Sequence, residues 1–139
     1  RSLSSAASDV YKRQSQCIII DACGWVAVID SGINIDIELE KIFGSFQLIL
    51  LDSVLDELKE IEKERTKRKT LLISMLENKS NIIDNEEFTH TDDQIFSISE
   101  QLGYAVLTVD KELKKRLYQS SIKVIEVNKN NHLKILENL

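Results

Sequence analysis

Four acidic residues stand where a folded chain could bring them together: Asp21, Glu57, Asp92 and Asp110. Asp21 follows the apolar run Ile18-Ile19-Ile20, and Asp110 follows Leu107-Thr108-Val109. Glu57 lies in the first turns of a helical segment after Phe46–Leu51, and Asp92 in the first turn of the one before Tyr104. Two carboxylates about 5 Å apart repel by roughly 3 kcal/mol at an effective dielectric of about 20. A cation offsets that cost, and oxygen-only ligands favour Mg2+ or Mn2+. Such a site can activate water and stabilise charge on a phosphate in transfer. Each acid taken alone reads as structural, because acids suit helix starts. Four in this order make the case for chemistry.

Helix geometry separates the candidates from their neighbours, since successive residues turn by about 100°. Val54, Leu55, Leu58 and Ile61 form an apolar stripe; Glu57 borders it and Asp56 points roughly opposite. Asp92 borders the stripe of Ile95, Ile98 and Leu102, while Asp93 points away from it. A side chain at the border can reach a cleft, which favours Glu57 and Asp92.

The elements that must position these acids alternate. Cys17–Ile20 is a short β-branched run of the kind found in buried parallel strands. Asn34–Phe43 has helical spacing with Gly44 placed to stop it. Phe46–Leu51 is a second apolar run. Ser53 with Asp56, and Thr91 with Gln94, resemble capping boxes that open helices. Between them Leu71, Leu72, Met75 and Leu76 resume an apolar face, on one long helix or on a second one, and Asn81-Ile82-Ile83 forms a short strand. Gly103 ends the helix begun at Thr91. Tyr104–Thr108 is a strand, Asp110 caps a helix through Tyr118, and Ile122–Val127 is a last strand. This alternation predicts an α/β fold, a three-layer α/β/α sandwich with a mostly parallel central sheet.

Length and composition bound the function. A chain of 139 residues fits one domain. No apolar run approaches the roughly 20 residues of a membrane helix. The net charge of −5 argues against binding nucleic acid by bulk charge alone. Cys17 and Cys23 lie too close together to frame a disulfide fold, which points to a reducing cytoplasm. The first residue is Arg1 rather than Met, and residues 1–14 carry no apolar period. The stretch Asp9–Gln14 looks like translated vector sequence, so 1–14 is expected to be a disordered, non-native leader. Residues 15–128 are expected to form the domain and 129–139 a C-terminal tail.

The ordered motifs resemble the PIN-domain family. The pattern is a strand ending in Asp (Ile20-Asp21), a Val-x-x-Glu-Leu helix (Val54 to Leu58), an Asp-bearing helix (Asp92 to Ile95) and Thr-x-Asp (Thr108 to Asp110). Gly103 stands eleven residues after Asp92, as in that family. The segment Gly32–Glu40 and the tandem Asp92-Asp93 resemble archaeal relatives of the ribosomal-RNA-processing PIN endonucleases. The resemblance implies a metal-dependent endonuclease acting on single-stranded RNA. It implies Asp21, Glu57, Asp92 and Asp110 as the Mg2+ or Mn2+ cluster. Thr108 would support them with its hydroxyl, and Asp93 from beside Asp92. The family places Thr or Ser, then Asn or Ser, after the first Asp; Ala22 and Cys23 stand there, so one polar support is missing.

Lys67, Arg68, Lys69 and Lys111 are candidate contacts to RNA phosphates, although a charged helix face is by default a solvated one. Trp25 reads as core, Cys23 as a small buried residue. Three functional classes follow. The first is a ribosomal-RNA-maturation endoribonuclease. The second is a toxin ribonuclease held by an antitoxin. The third is a catalytically weak RNA-binding or ribosome-assembly protein. A homodimer is compatible with each.

Overall fold

The computed structural model describes residues 15–66, 69–84 and 90–139. The expected leader, and with it Lys67 and Arg68, lies outside the described residues. Six strands form one sheet: β1 (Gln16–Ile20), β2 (Phe46–Leu51), β3 (Ser80–Ile83), β4 (Ala105–Leu107), β5 (Val124–Val127) and β6 (Leu133–Ile135). Their order is β3-β2-β1-β4-β5-β6. Every pairing is parallel except β5 with β6, which is antiparallel. The α/β class and the mostly parallel sheet are as the alternation predicts.

The six described helices are α1 (Ala22–Ser31), α2 (Ile35–Phe43), α3 (Asp52–Glu64), α4 (Ile73–Lys79), α5 (Thr91–Leu102) and α6 (Lys111–Gln119). Right-handed crossovers place the helices that join β1, β2 and β3 on one face and those that join β3, β4 and β5 on the other. The contacts agree: α3 packs on α1 and α4, while α5 packs on α6. The central strands are buried on both faces, with Ile18, Ile19, Ile20, Leu50, Leu51, Ala105, Val106 and Leu107 all fully inaccessible. That is why they read as continuous apolar runs and not as alternating ones.

Of the two arrangements left open for the apolar residues Leu71 to Leu76, the second is found: a separate helix, α4, begins at Ile73 and is entered through Leu72 in the left-handed region (φ 53°). Several other local expectations are corrected. Neither capping box forms. Leu51 and His90 occupy the N-cap positions of α3 and α5, and neither makes a side-chain cap bond. The hydroxyl of Ser53 instead donates to Gln94 Oε1 at 3.1 Å, tying α3 to α5. Helix α1 has no counterpart in the periodicity reading, because its residues are apolar nearly all round and the 3.6-residue contrast is weak. Its Trp25 is fully buried, with the indole N–H donating to Leu71 O at 2.7 Å. Finally, residues 133–135, expected within a tail, form the sixth strand. Glu38 on α2 anchors it, its Oε1 accepting the N–H of Leu133 at 3.1 Å.

Candidate active site

Chain order reverses between β1 and β4: β2 and β3 extend outward from one, β5 from the other. In open parallel sheets the crevice at the carboxyl ends of such strands is where ligands bind. The register pairs Ile20 with Leu107 at the ends of these strands, and Asp21 N–H donates to Leu107 O at 3.0 Å. One residue further on, the side chains meet. Thr108 Oγ1 donates to Asp21 Oδ2 at 2.8 Å.

Asp21 is also the N-cap of α1, its Oδ1 accepting the N–H of Ala22 at 2.8 Å. A carboxylate that is only 6% exposed needs such donors. Cys23 supplies another, its Sγ lying 3.2 Å from Asp21 Oδ2 and 3.4 Å from Thr108 Oγ1. Burial, followed by the Asp21 charge, pushes the Cys23 thiol up, so it stays a neutral S–H donor. Gly24 permits this close approach of α1 to β4: a Cβ there would meet Leu107 O at 2.5 Å. On the other side Thr108 Oγ1 accepts the N–H of Asp110 at 3.1 Å, and Asp110 Oδ1 caps α6 by accepting the N–H of Leu113 at 2.9 Å. A hydrogen-bonded chain thus runs from Asp21 through the fully buried Thr108 to Asp110.

Glu57 and Asp92 come from α3 and α5. They line an open pocket of ≈ 660 Å³ with Ser53, His90, Thr91, Asp93 and Arg116. Burial raises the pKa of both carboxyls from its ordinary value. Neighbouring charges add to this, from Asp21 and Asp92 at Glu57, and from Asp21, Asp110 and Asp93 at Asp92. Arg116 pulls Asp92 the other way. Asp92 therefore stands within electrostatic range of Asp21 and Asp110, and Glu57 within range of Asp21 and Asp92. Asp93 lies at the rim of the pocket, its Oδ1 2.7 Å from Arg116 Nη1.

Among the described residues no group of three or more His, Cys, Asp and Glu side chains is arranged to hold a metal ion directly. Magnesium makes a smaller demand. It keeps several waters and takes one or two carboxylates. An open pocket lined by oxygen donors fits that requirement. Lys69 lies elsewhere, 3.4 Å from Ile29 O, lining an apolar cleft of ≈ 430 Å³ where α1 ends. Lys111 is exposed and follows Asp110 directly. The sequence already set Cys23 beside the first acid, as a small buried residue, and the structure gives it a contact to Asp21. Ser53 and Gln94 were not legible as neighbours of the acids, because their only sequence signal was a false one, the apparent capping boxes.

A six-stranded sheet with acids gathered at its switch point defines a class, and residues 18–130 match the family model of the PIN like domain. The chain belongs to that family. It is similar in fold to a solved structure described as the PIN domain endonuclease Utp24. The TM-score is 0.69 at 21% identity, covering 88% of this chain and 92% of that one. No curated protein matches the chain. Among the described residues no helix is long and apolar enough to cross a membrane.

Proposed function

We propose that this chain is a divalent-metal-dependent endoribonuclease that hydrolyses phosphodiester bonds in single-stranded RNA. The observation that carries the reading is the meeting of the Asp21–Thr108–Asp110 chain with the Glu57 and Asp92 carboxylates at the switch point. Asp21, Glu57, Asp92 and Asp110 are the residues that would hold Mg2+ or Mn2+. A bound cation of this kind supplies water activation and charge neutralisation at a phosphoryl oxygen.

The chain's own groups have separable tasks. Thr108 and the Ala22 N–H fix both oxygens of Asp21. Glu57 and Asp92, whose proton affinity is raised by burial and then by the Asp21 charge, are suited to accept a proton from the attacking water. Asp110 keeps one oxygen on the Leu113 N–H and turns toward the cluster through its backbone bond to Thr108. The motif resemblance in Gly32–Glu40 and Asp92-Asp93 supports ribosomal RNA maturation as the biological setting.

One observation favours a second reading, a catalytically weak RNA-binding protein. Cys23 donates to Asp21 Oδ2 where the family's pattern has a hydroxyl or amide side chain, and a thiol is a weaker donor. The two readings separate in one experiment. The protein is incubated with unstructured and structured RNA, with manganese and with chelator. Manganese-dependent cuts in unstructured RNA that disappear in Asp92→Asn support the nuclease. Binding of RNA with no cuts at any manganese concentration supports the second reading.

A further inference from the structure

We propose that Arg116 holds a backbone phosphate of the RNA at the wall of the acidic pocket, and that Phe96 and Asp93 keep its guanidinium in place for that task. The proposal rests on the ribonuclease reading and names the group that positions the strand. Arg116 is the one permanently cationic side chain among the described residues that line the pocket, facing Glu57, Asp92 and Asp93. An anionic strand approaching those carboxylates needs a local positive group, and a chain with net charge −5 does not supply one in bulk.

The guanidinium is built into place. Its Cζ lies 4.2 Å from the centroid of the Phe96 ring. Asp93 Oδ1 takes Nη1 at 2.7 Å. Asp93 and Phe96 are three residues apart on α5, hence neighbours on one helix face, and together they fix the plane and one edge of the group. A guanidinium has several N–H donors arranged as a fork. With one nitrogen on Asp93, the others remain for a phosphate, which such a fork can bind bidentately. The side chain stays 44% exposed although paired, so the ion pair does not bury it away from the pocket. Lys114, on the same helix, contrasts: it is paired with Glu126 at 3.1 Å and only 18% exposed.

The competing role is purely structural, a clasp between α5 and α6. A salt titration separates the two. A fluorescent unstructured RNA oligomer is bound by the full chain with manganese, from about 50 to 200 mM salt, and its cleavage is followed in parallel. Arg116→Gln should raise KM by about ten- to a hundredfold, the loss of one charge-assisted hydrogen-bonding group, with a smaller change in kcat. Its slope of log affinity on log salt should be shallower by about 0.7, one phosphate contact on a single strand. Arg116→Lys should restore the slope but only part of the affinity, because it lacks the fork. Asp93→Asn should keep the wild-type slope while losing the clasp. If Arg116→Gln and Asp93→Asn instead change the melting temperature equally and leave slope and KM untouched, Arg116 is a clasp and the proposal fails. A wild type that cleaves while Arg116→Gln keeps the full slope overturns this proposal alone. A wild type that neither binds nor cleaves RNA overturns the ribonuclease reading and the proposal with it.

Discussion

Thr108 and Asp21, 87 residues apart in the chain, share a buried hydrogen bond of 2.8 Å. The same Thr108 oxygen accepts the N–H of Asp110, so one hydroxyl joins two of the four acids. Thr108→Val keeps the shape of the side chain and removes both bonds. It should cost about 1–3 kcal/mol, the range for leaving buried polar groups without partners. Thr108→Ser should cost clearly less. Urea unfolding of the three proteins checks this, and equal midpoints for wild type and Thr108→Val would show that the hydroxyl does not support Asp21.

Acid crowding gives a pH signature in the metal-free protein. Glu57 and Asp92 are raised in the fold from ordinary values of 4.5 and 3.8, by burial first. For a carboxyl raised on folding, the contribution to stability is fully present below its unfolded pKa and is lost as pH rises through its folded one. In chelator at neutral pH, Asp92→Asn should therefore melt above wild type. The gap should close as the pH falls below 3.8, the ordinary value of that carboxyl. Melting curves across that range decide the matter, and a gap that stays constant with pH would place the gain elsewhere.

Manganese should reverse that order. A cation bound only to the folded state stabilises it by about 2.7 kcal/mol at a hundredfold excess over Kd. The wild-type melting temperature should rise with manganese, and Asp92→Asn should blunt the rise. Asp93→Asn should blunt it less, because Asp93 Oδ1 is engaged by Arg116. A wild-type melt that ignores millimolar manganese would count against the metal centre.

Gly24 is a packing requirement of the site. An added Cβ would lie 2.5 Å from Leu107 O and 2.6 Å from Leu107 Cδ2, and the carbonyl belongs to a central strand that cannot yield. Gly24→Ala should destabilise by about 1–3 kcal/mol, as overpacking does. It should also weaken manganese binding, since α1 carries Asp21 at its N-cap. Denaturation and calorimetric titration of the same variant test both halves. Normal stability would mean that α1 can shift freely.

Glu38 secures the sixth strand. Its carboxylate accepts the N–H of Leu133 at 3.1 Å and faces His132 Nδ1 at 3.0 Å and Lys41 Nζ at 3.2 Å. The Leu133 N–H is the main reason its pKa is lowered. For a lowered carboxyl the contribution is present above the ordinary value, 4.5, and is lost as pH falls through the folded one. Glu38→Gln should lower the melting temperature at neutral pH, and the deficit should shrink in acid. Protection of the Leu133 amide in hydrogen exchange reports the anchor directly, and unchanged protection in Glu38→Gln would argue against it.

Features that depend on near neighbours were legible in the order of the residues. Ile18-Ile19-Ile20 and the run Phe46–Leu51 read as strand-like because central residues buried on both faces must be apolar. Gly44 and Gly103 read as helix stops, and both adopt positive φ, 72° and 71°. Asp110 read as a cap because its oxygen reaches an N–H three residues on. The acids themselves were legible through their place at element ends. Tertiary structure alone decided which partners the ambiguous groups took. Ser53 and Gln94 each had a local cap available, yet they bond to one another across two helices. A hydroxyl or amide can satisfy itself in several ways of similar energy, and the packing of distant elements selects among them. Residues 133–135 carry too few side chains to announce a strand, and become one only where β5 offers an open edge and Glu38 a partner. The closeness of Asp21 to Thr108 follows from β4 lying beside β1. No local pattern encodes that pairing, because it is fixed by how the helices cover both faces of the sheet.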